Sequence, residues 1–145
     1  MNPAVLSLFG FLLQLASVAG LALTLSLSSW RLPVIAVQVS AFALMVWARL
    51  TFGMRSFHAE ATPTAGGIVT SGPYRYVRHP IYAAILLFLL TGAAAHPSLT
   101  SGLFATTAVI GTSMRIVMEE RLLHQRYPEY AAYAAKTARV IPSLI

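Results

Sequence analysis

Long apolar runs, separated by short polar breaks, dominate the pattern of the chain. The first run covers residues 4–27, and a second covers 32–50 after a turn that contains Trp30 and Pro33. A helix over the first run rises about 36 Å, more than a hydrocarbon core of about 30 Å, and one over the shorter second run rises about 28 Å, close to that thickness. Both runs therefore predict membrane-spanning helices, in which a polar side chain such as Gln14 can bond to a neighbouring helix.

Two further apolar runs, 80–95 and 99–118, are separated only by the short turn at 96–98. Such a short connection predicts an antiparallel helical hairpin, so the start of the third helix should lie beside the end of the fourth. Pro80 suits a first helical turn, where its missing N–H costs little. The fourth helix is expected to run past the membrane to about Gln125.

The remaining segments, 51–79 and 119–145, are polar and rich in charge. The first predicts a long loop, in which His58 and Glu60 are expected to be solvated. The second is amphipathic and predicts a short interfacial helix at about 128–137. The pattern as a whole predicts a single all-α integral membrane domain over residues 1–145, with about four transmembrane helices and a C-terminal amphipathic interfacial helix.

Composition supports the membrane interpretation. Hydrophobic residues make up 57% of the chain and charged residues only 10%, against about 25% charged in soluble domains. The first run lacks a preceding basic segment and exceeds the length of a signal-peptide core, so we expect it to be kept as a span. The chain has no Cys, which excludes disulfides, thiolate metal sites and a cysteine nucleophile.

The net charge of +6 predicts topology rather than nucleic-acid binding, because the basic residues flank apolar runs. The turn near Trp30 carries one Arg, and the turn at 96–98 carries neither Lys nor Arg. The other basic residues fall in the two polar segments or next to them: Arg49, Arg55, Arg75, Arg78, Arg115, Arg121, Arg126, Lys136 and Arg139. The positive-inside rule then places the loop, the tail and both termini in the cytoplasm.

The first candidate chemical cluster is GPYRYVRHPIY at residues 72–82. His79 and Tyr82 share a helix face and lie at a helix N-terminus, where free N–H groups attract anions. Arg75 and Arg78 can add bidentate contacts to a carboxylate. The alternative is an interfacial anchor: His96 also precedes a proline at a helix start, with no Arg or Tyr beside it, and we assign it no function.

The second cluster begins with Glu119 and Glu120 at the end of the fourth span. The helix dipole disfavours acids there, and ionisable residues at a membrane edge are functional candidates. The pair predicts a negative site for a cationic ligand; the alternative is a solvated helix end held by ion pairs to Arg115 and His124. The predicted hairpin brings both clusters to one pocket at the cytoplasmic face. The tail tyrosines, Tyr127, Tyr130 and Tyr133, fit an aromatic belt, and one of them can also face the pocket.

These two motifs, in this order around a hairpin, resemble the isoprenylcysteine carboxyl methyltransferase and phospholipid methyltransferase group over about residues 66–143. The resemblance implies that S-adenosylmethionine binds at the cytoplasmic ends of the helices. It implies catalytic roles for Glu120 and Arg139. It implies a cofactor site formed by Tyr74, Arg78, His79, Pro80, Tyr82, Glu119, Glu120 and Tyr130.

The expected function is therefore methyl transfer from S-adenosylmethionine to an apolar or lipid-like acceptor that enters from the bilayer and carries a carboxylate, amine, thiol or hydroxyl. Carboxylates and aromatic faces suit the cofactor's cationic groups, and Arg suits its carboxylate. The chain is shorter than relatives with five or more spans. Two other classes stay open: a steroid-reductase-like enzyme using a nicotinamide cofactor, against which the acid pair counts, and a non-catalytic membrane scaffold.

Overall fold

The computed structural model describes residues 3–53 and 67–142, and the part of the chain that it describes is mainly helical. The elements are α1 (Pro3–Leu23), α2 (Leu32–Phe52), a 3₁₀ turn (Gly72–Arg75), α3 (Pro80–Ala95), α4 (Leu99–Arg126) and α5 (Tyr130–Ala134). The predicted loop positions His58 and Glu60 lie outside the described residues. The all-α membrane class is confirmed.

Among the described residues, three helices, α1, α2 and α4, are long and apolar enough to cross a membrane. The fourth apolar helix, α3, has 16 residues and rises about 24 Å, somewhat less than the hydrocarbon thickness. It packs between α2 and α4. The chain is therefore an integral membrane protein in which the shortest apolar helix has helical neighbours on both sides.

The α3–α4 hairpin forms the centre of the bundle, with α2 packed on α3 and α1 packed chiefly on α4. Small residues allow α1 and α4 to approach closely: a Cβ atom placed on Gly111 would lie 2.7 Å from the carbonyl oxygen of Gly10. One turn away, the Gln14 amide donates to the Thr112 hydroxyl at 2.7 Å. This buried hydrogen bond joins the first helix to the last long one.

The first helix ends four residues earlier than predicted, at Leu23 rather than residue 27. Leu25 has a positive φ of 54°. The N–H groups of Leu25 and Ser26 donate to the carbonyls of Ala22 and Leu21, at 3.0 and 2.8 Å. This is the Schellman arrangement that closes a helix. The sequence did not reveal it because the left-handed position is occupied by leucine rather than glycine.

The α3–α4 turn and the start of α4 are held by a reciprocal cap. Ser98 Oγ accepts from the Ser101 N–H at 3.1 Å, and Ser101 Oγ accepts from the Ser98 N–H at 3.0 Å. Two otherwise unpaired backbone donors are thereby satisfied. From this cap α4 continues to Arg126, which confirms that the helix extends beyond the predicted span.

The interfacial helix is shorter than predicted, at Tyr130–Ala134 instead of 128–137. The chain beyond it turns back, and Ala138 forms a parallel bridge with Val77. Three backbone hydrogen bonds, 2.8 to 3.1 Å long, join residues 76–79 to Ala138 and Arg139. Tertiary pairing therefore replaces the last turns of the predicted helix, and the tail lies against the start of α3.

Candidate functional site

The start of α3 lies directly beside the acid pair of α4. His79 is the N-cap residue of α3, and Pro80 occupies its first turn, as predicted. The His79 ring is buried, with Nε2 3.3 Å from Glu120 Oε1 and Nδ1 4.0 Å from Glu119 Oε2. The two clusters identified in the sequence thus meet at the His79 imidazole.

Glu120 is the centre of a charged cluster that also contains Arg78, His79, Glu119 and Arg139. Its Oε1 accepts from Arg78 Nε at 2.6 Å, and its Oε2 accepts from Nε and Nη2 of Arg139 at 3.0 and 2.9 Å. The side chain is only 9% exposed. One nearly buried carboxylate therefore joins the start of α3, the end of α4 and the tail, through short charge-assisted hydrogen bonds.

Arg78 holds the tail in place. Besides Glu120, its guanidinium donates to the carbonyl oxygens of Ala134, at 3.2 Å, and Thr137. These carbonyls belong to the end of α5 and the turn after it, where backbone acceptors lack helical partners. Nε and Nη1 of Arg78 are thus engaged by the protein itself, and the place of this residue at the cofactor, which the resemblance implied, stays a prediction.

Glu119 is the more accessible acid, with its side chain 30% exposed. It lies near Tyr82, whose ring tilts against the His79 ring with centroids 5.7 Å apart. Glu120 is engaged by two guanidinium groups, but Glu119 keeps a surface toward the outside of the cluster. The two neighbouring acids therefore have different environments.

The tail tyrosines differ from one another. Tyr130 is 1% exposed, and within the described residues its hydroxyl has no hydrogen-bond partner. Burial and the nearby Glu120 carboxylate raise the pKa of Tyr130 well above its usual range, so its hydroxyl stays protonated. The Tyr133 hydroxyl donates to the carbonyl of Tyr74 at 2.7 Å. Tyr130 is thus an inward-facing residue rather than part of a belt.

A cleft of about 430 Å³ opens between α4 and the tail, beside Glu120. Its lining residues are Val117, Glu120, Arg121, His124, Gln125 and Arg139. The volume falls within the range of about 300–1,000 Å³ typical of small-molecule sites. Arg139 reaches this cleft with half of its side chain exposed. Across residues 3–53 and 67–142, no group of three or more His, Asp or Glu side chains could hold a metal ion.

The structure brings most of the predicted site residues together. Seven of them form the charged cluster or border it: Arg78, His79, Tyr82, Glu119, Glu120, Tyr130 and Arg139. Pro80 lies in the first turn of α3 behind His79. Tyr74 packs instead against Phe52 of α2, with ring centroids 5.6 Å apart.

Two further residues connect to the cluster: Arg115, which the sequence offered only as an ion-pair partner of Glu119, and Phe11, to which it gave no role. Arg115 donates from Nε to the Tyr82 hydroxyl at 3.0 Å. Its guanidinium lies 5.2 Å from the centre of the Phe11 ring on α1. The sequence signal for Arg115 was a lone cation in an apolar helix, four residues before Glu119. The sequence contained no such signal for Phe11, because nothing in it indicated which helix α1 packs against.

Comparison with known proteins identifies a family. The sequence model of the isoprenylcysteine carboxyl methyltransferase (ICMT) family matches residues 31–125, a range that contains α2, α3 and nearly all of α4 but leaves out α1. No solved structure matches the chain significantly.

Three curated relatives share part of the sequence. The cobalt-zinc-cadmium resistance protein CzcN of Cupriavidus metallidurans is 37% identical over 83 residues, 53% of this chain and 36% of that protein. The nickel-cobalt-cadmium resistance protein NccN of Alcaligenes xylosoxydans xylosoxydans is 31% identical over 53% of this chain and 37% of its own length. The uncharacterized protein YpbQ of Bacillus subtilis is 29% identical over 68% of this chain and 59% of its own length. The chain thus spans little more than a third of the first two.

Proposed function

The chain belongs to the isoprenylcysteine carboxyl methyltransferase family, and on that premise we propose that it is an S-adenosylmethionine-dependent membrane methyltransferase with an apolar or lipid-like acceptor. The observation that carries the proposal is the contact of His79, at the start of α3, with the acid pair of α4. A cleft of suitable volume lies beside that contact. Family membership supports methyl transfer in general, and the cofactor and acceptor are our inference.

The residues present fit S-adenosylmethionine in charge and in hydrogen-bonding capacity. The partly exposed Glu119 carboxylate suits a cationic group, and the half-exposed Arg139 suits a carboxylate. The buried Tyr130 hydroxyl, which has no partner in the described part of the chain, offers a donor that a polar ligand atom would satisfy. Arg139 lines the cleft, and Glu119 and Tyr130, which do not line it, neighbour its Glu120. These three are therefore the residues that would hold the cofactor, with His79 and Tyr82 orienting Glu119.

When bound, S-adenosylmethionine would supply an electrophilic methyl group, whose bond to the positively charged sulfur breaks as the acceptor's electron pair forms the new bond to carbon, leaving a neutral thioether. The protein's contribution is to hold the reacting groups in line and at short distance. Glu120 serves this by fixing α3, α4 and the tail to one another. A carboxylate or thiolate acceptor needs no general base, and for such an acceptor Glu120 acts by positioning.

The acceptor is proposed to be apolar because the cleft lies at the end of membrane helices. Val117, whose side chain lines the cleft, is 38% exposed on an apolar part of α4. A hydrocarbon chain could reach this side from the bilayer while its reactive group lies near Arg139. An acceptor with a carboxylate, amine, thiol or hydroxyl is compatible with this arrangement.

Replacing Glu119 with Gln is expected to weaken binding of S-adenosylmethionine by about tenfold or more, because a charge-assisted contact is lost. Binding of S-adenosylhomocysteine, whose sulfur is neutral, should weaken less if Glu119 faces the sulfonium. Calorimetric titration of the detergent-solubilised protein with both compounds measures the two effects separately. The matched control is Glu129→Gln, an exposed acid at the start of α5, which should leave both affinities unchanged.

Two results would count against the proposal. Folded wild-type protein that binds neither compound would remove the cofactor assignment altogether. Equal affinities in wild-type protein and Glu119→Gln would leave the cofactor in place but remove Glu119 from its site.

We also propose that the site and both termini lie in the cytoplasm, since basic residues concentrate at that end of the bundle. The backbone pairing of residues 76–79 with the tail supports a common side for the loop and the tail. A phosphatase reporter fused to the C-terminus should be inactive, and a fluorescent protein that matures only in the cytoplasm should be bright. The opposite pair of results would reverse the orientation.

A further inference from the structure

Arg115 is a buried cation inside an apolar helix. Arg115 is only 6% exposed, and it lies four positions before Glu119 on α4. Its guanidinium is flanked by two aromatic rings, with centroids 5.2 Å away for Phe11 and 5.7 Å away for Tyr82. A cation that is costly to place at this depth is therefore held between two π faces, which attract it electrostatically.

The hydrogen bonds around Tyr82 have a defined direction. Arg115 Nε–H can only donate, so at 3.0 Å the Tyr82 oxygen is the acceptor. The single hydroxyl proton of Tyr82 is then free to point toward the neighbouring Glu119 carboxylate. Arg115 thus occupies the acceptor side of the Tyr82 hydroxyl and leaves its proton available to Glu119, the accessible carboxylate.

The first helix takes part in this arrangement. Phe11 belongs to α1, which the family match over 31–125 does not include. Close packing through Gly10 and Gly111 places this ring over the guanidinium: a Cβ atom on Gly10 would lie 3.0 Å from Arg115 Cγ. The side-chain path therefore runs from Phe11 to Arg115, then to Tyr82, and ends at Glu119.

We propose that Arg115 is a positioning residue: held by Phe11 of the first helix, it orients the Tyr82 hydroxyl toward Glu119 and so fixes that carboxylate in the cofactor site. The inference rests on the proposed function, because it assigns Glu119 to the cofactor. It adds a role for the first helix in ligand binding. Neither Arg115 nor Phe11 needs to touch the ligand.

A double-mutant cycle tests the path between Arg115 and Tyr82. Arg115→Lys keeps the charge but loses the planar group and its Nε–H, whereas Tyr82→Phe keeps the ring and loses the hydroxyl. Each change should weaken S-adenosylmethionine binding by about tenfold, the effect of losing one hydrogen bond to a charged group. Because both act through the same hydroxyl, the double variant should bind no more weakly than Tyr82→Phe alone. Arg126→Lys, an exposed position at the end of α4, is the matched control.

The contribution of the first helix is tested by Phe11→Leu. The control is Phe9→Leu, because the Phe9 side chain is exposed on the same helix. Only Phe11→Leu should weaken cofactor binding, and this variant also serves if Arg115→Lys fails to fold. Thermal midpoints recorded in parallel separate positioning from stability: a purely structural role would lower the midpoint and leave the affinity of the folded fraction unchanged.

Three results would overturn the inference. Additive losses in the double variant would show that Arg115 does not act through Tyr82. Unchanged affinity in Arg115→Lys or in Phe11→Leu would break the path at that residue. These failures are distinct from failure of the proposed function, because they are measured only if the wild-type protein binds S-adenosylmethionine.

Discussion

Replacing Glu120 with Gln is expected to lower the free energy of unfolding by about 3 kcal/mol or more. The change leaves Arg78, of which only 9% of the side chain is exposed, and the paired end of Arg139 without a countercharge. Removing one partner of a buried ion pair typically costs about 3–5 kcal/mol, because the other charge stays buried and uncompensated. An amide also offers one acceptor oxygen where the carboxylate now accepts through both oxygens.

The measurement is the thermal midpoint of the detergent-solubilised protein, followed by helical circular dichroism. Glu129→Gln, at an exposed site, should stay close to wild type. Reduced cofactor affinity in the part of the Glu120→Gln population that remains folded would follow from loosening of the tail. A Glu120→Gln midpoint equal to that of Glu129→Gln would show that the cluster does not stabilise the bundle.

Replacing Gly111 with Ala is expected to cost about 1–3 kcal/mol, the usual range for overpacking a tight contact. A Cβ atom there would lie 2.7 Å from the Gly10 carbonyl oxygen and 2.9 Å from Leu13 Cβ. The first of these neighbours is backbone and cannot rotate away, so α1 has to shift off α4. That shift would also strain the nearby Gln14–Thr112 hydrogen bond.

The matched control is Gly102→Ala on the same helix, where nothing lies within 4 Å of the added atom. Alanine is a better helix former than glycine by about 1 kcal/mol, so this variant should be neutral or slightly stabilised. Opposite signs of the two midpoint shifts would confirm the close approach of α1 and α4. A shift of the same sign and size at both positions would contradict it.

The helices were largely predictable because the bilayer requires long apolar runs with their backbone satisfied internally. The bounds of α3, at Pro80–Ala95, matched the prediction because a proline starts the helix and a polar turn follows it. The ends of α1 and α5 did not match. Leu25 closes α1 in a left-handed conformation that a leucine does not lead one to predict. The last turns predicted for α5 are absent because the chain there pairs with residues 76–79.

The meeting of the two candidate clusters was also predictable, since a short turn brings the ends of a hairpin together. The partners of Glu120 were not. Local spacing suggested His124, four residues away, as the partner of Glu120. Instead, the backbone bridge between Val77 and Ala138 places Arg78 and Arg139 beside Glu120. Tyr130 likewise faces inward because the tail folds back. Pairing between distant residues produces no periodic pattern of apolar and polar residues, so a single sequence does not reveal it.

The arrangement of the helices has a consequence for biogenesis. The two helices that are translated first pack mainly on the two that follow, α1 on α4 and α2 on α3. Until the later pair inserts, the Gln14 amide lacks its Thr112 acceptor, and the Gln38 amide, which donates to the Leu27 and Phe88 carbonyls at 2.7 and 3.3 Å, lacks the second of these. The nascent protein therefore holds polar groups in the lipid phase that only the second half of the chain can satisfy. A half-length product would keep these groups unsatisfied and would be a substrate for membrane quality control.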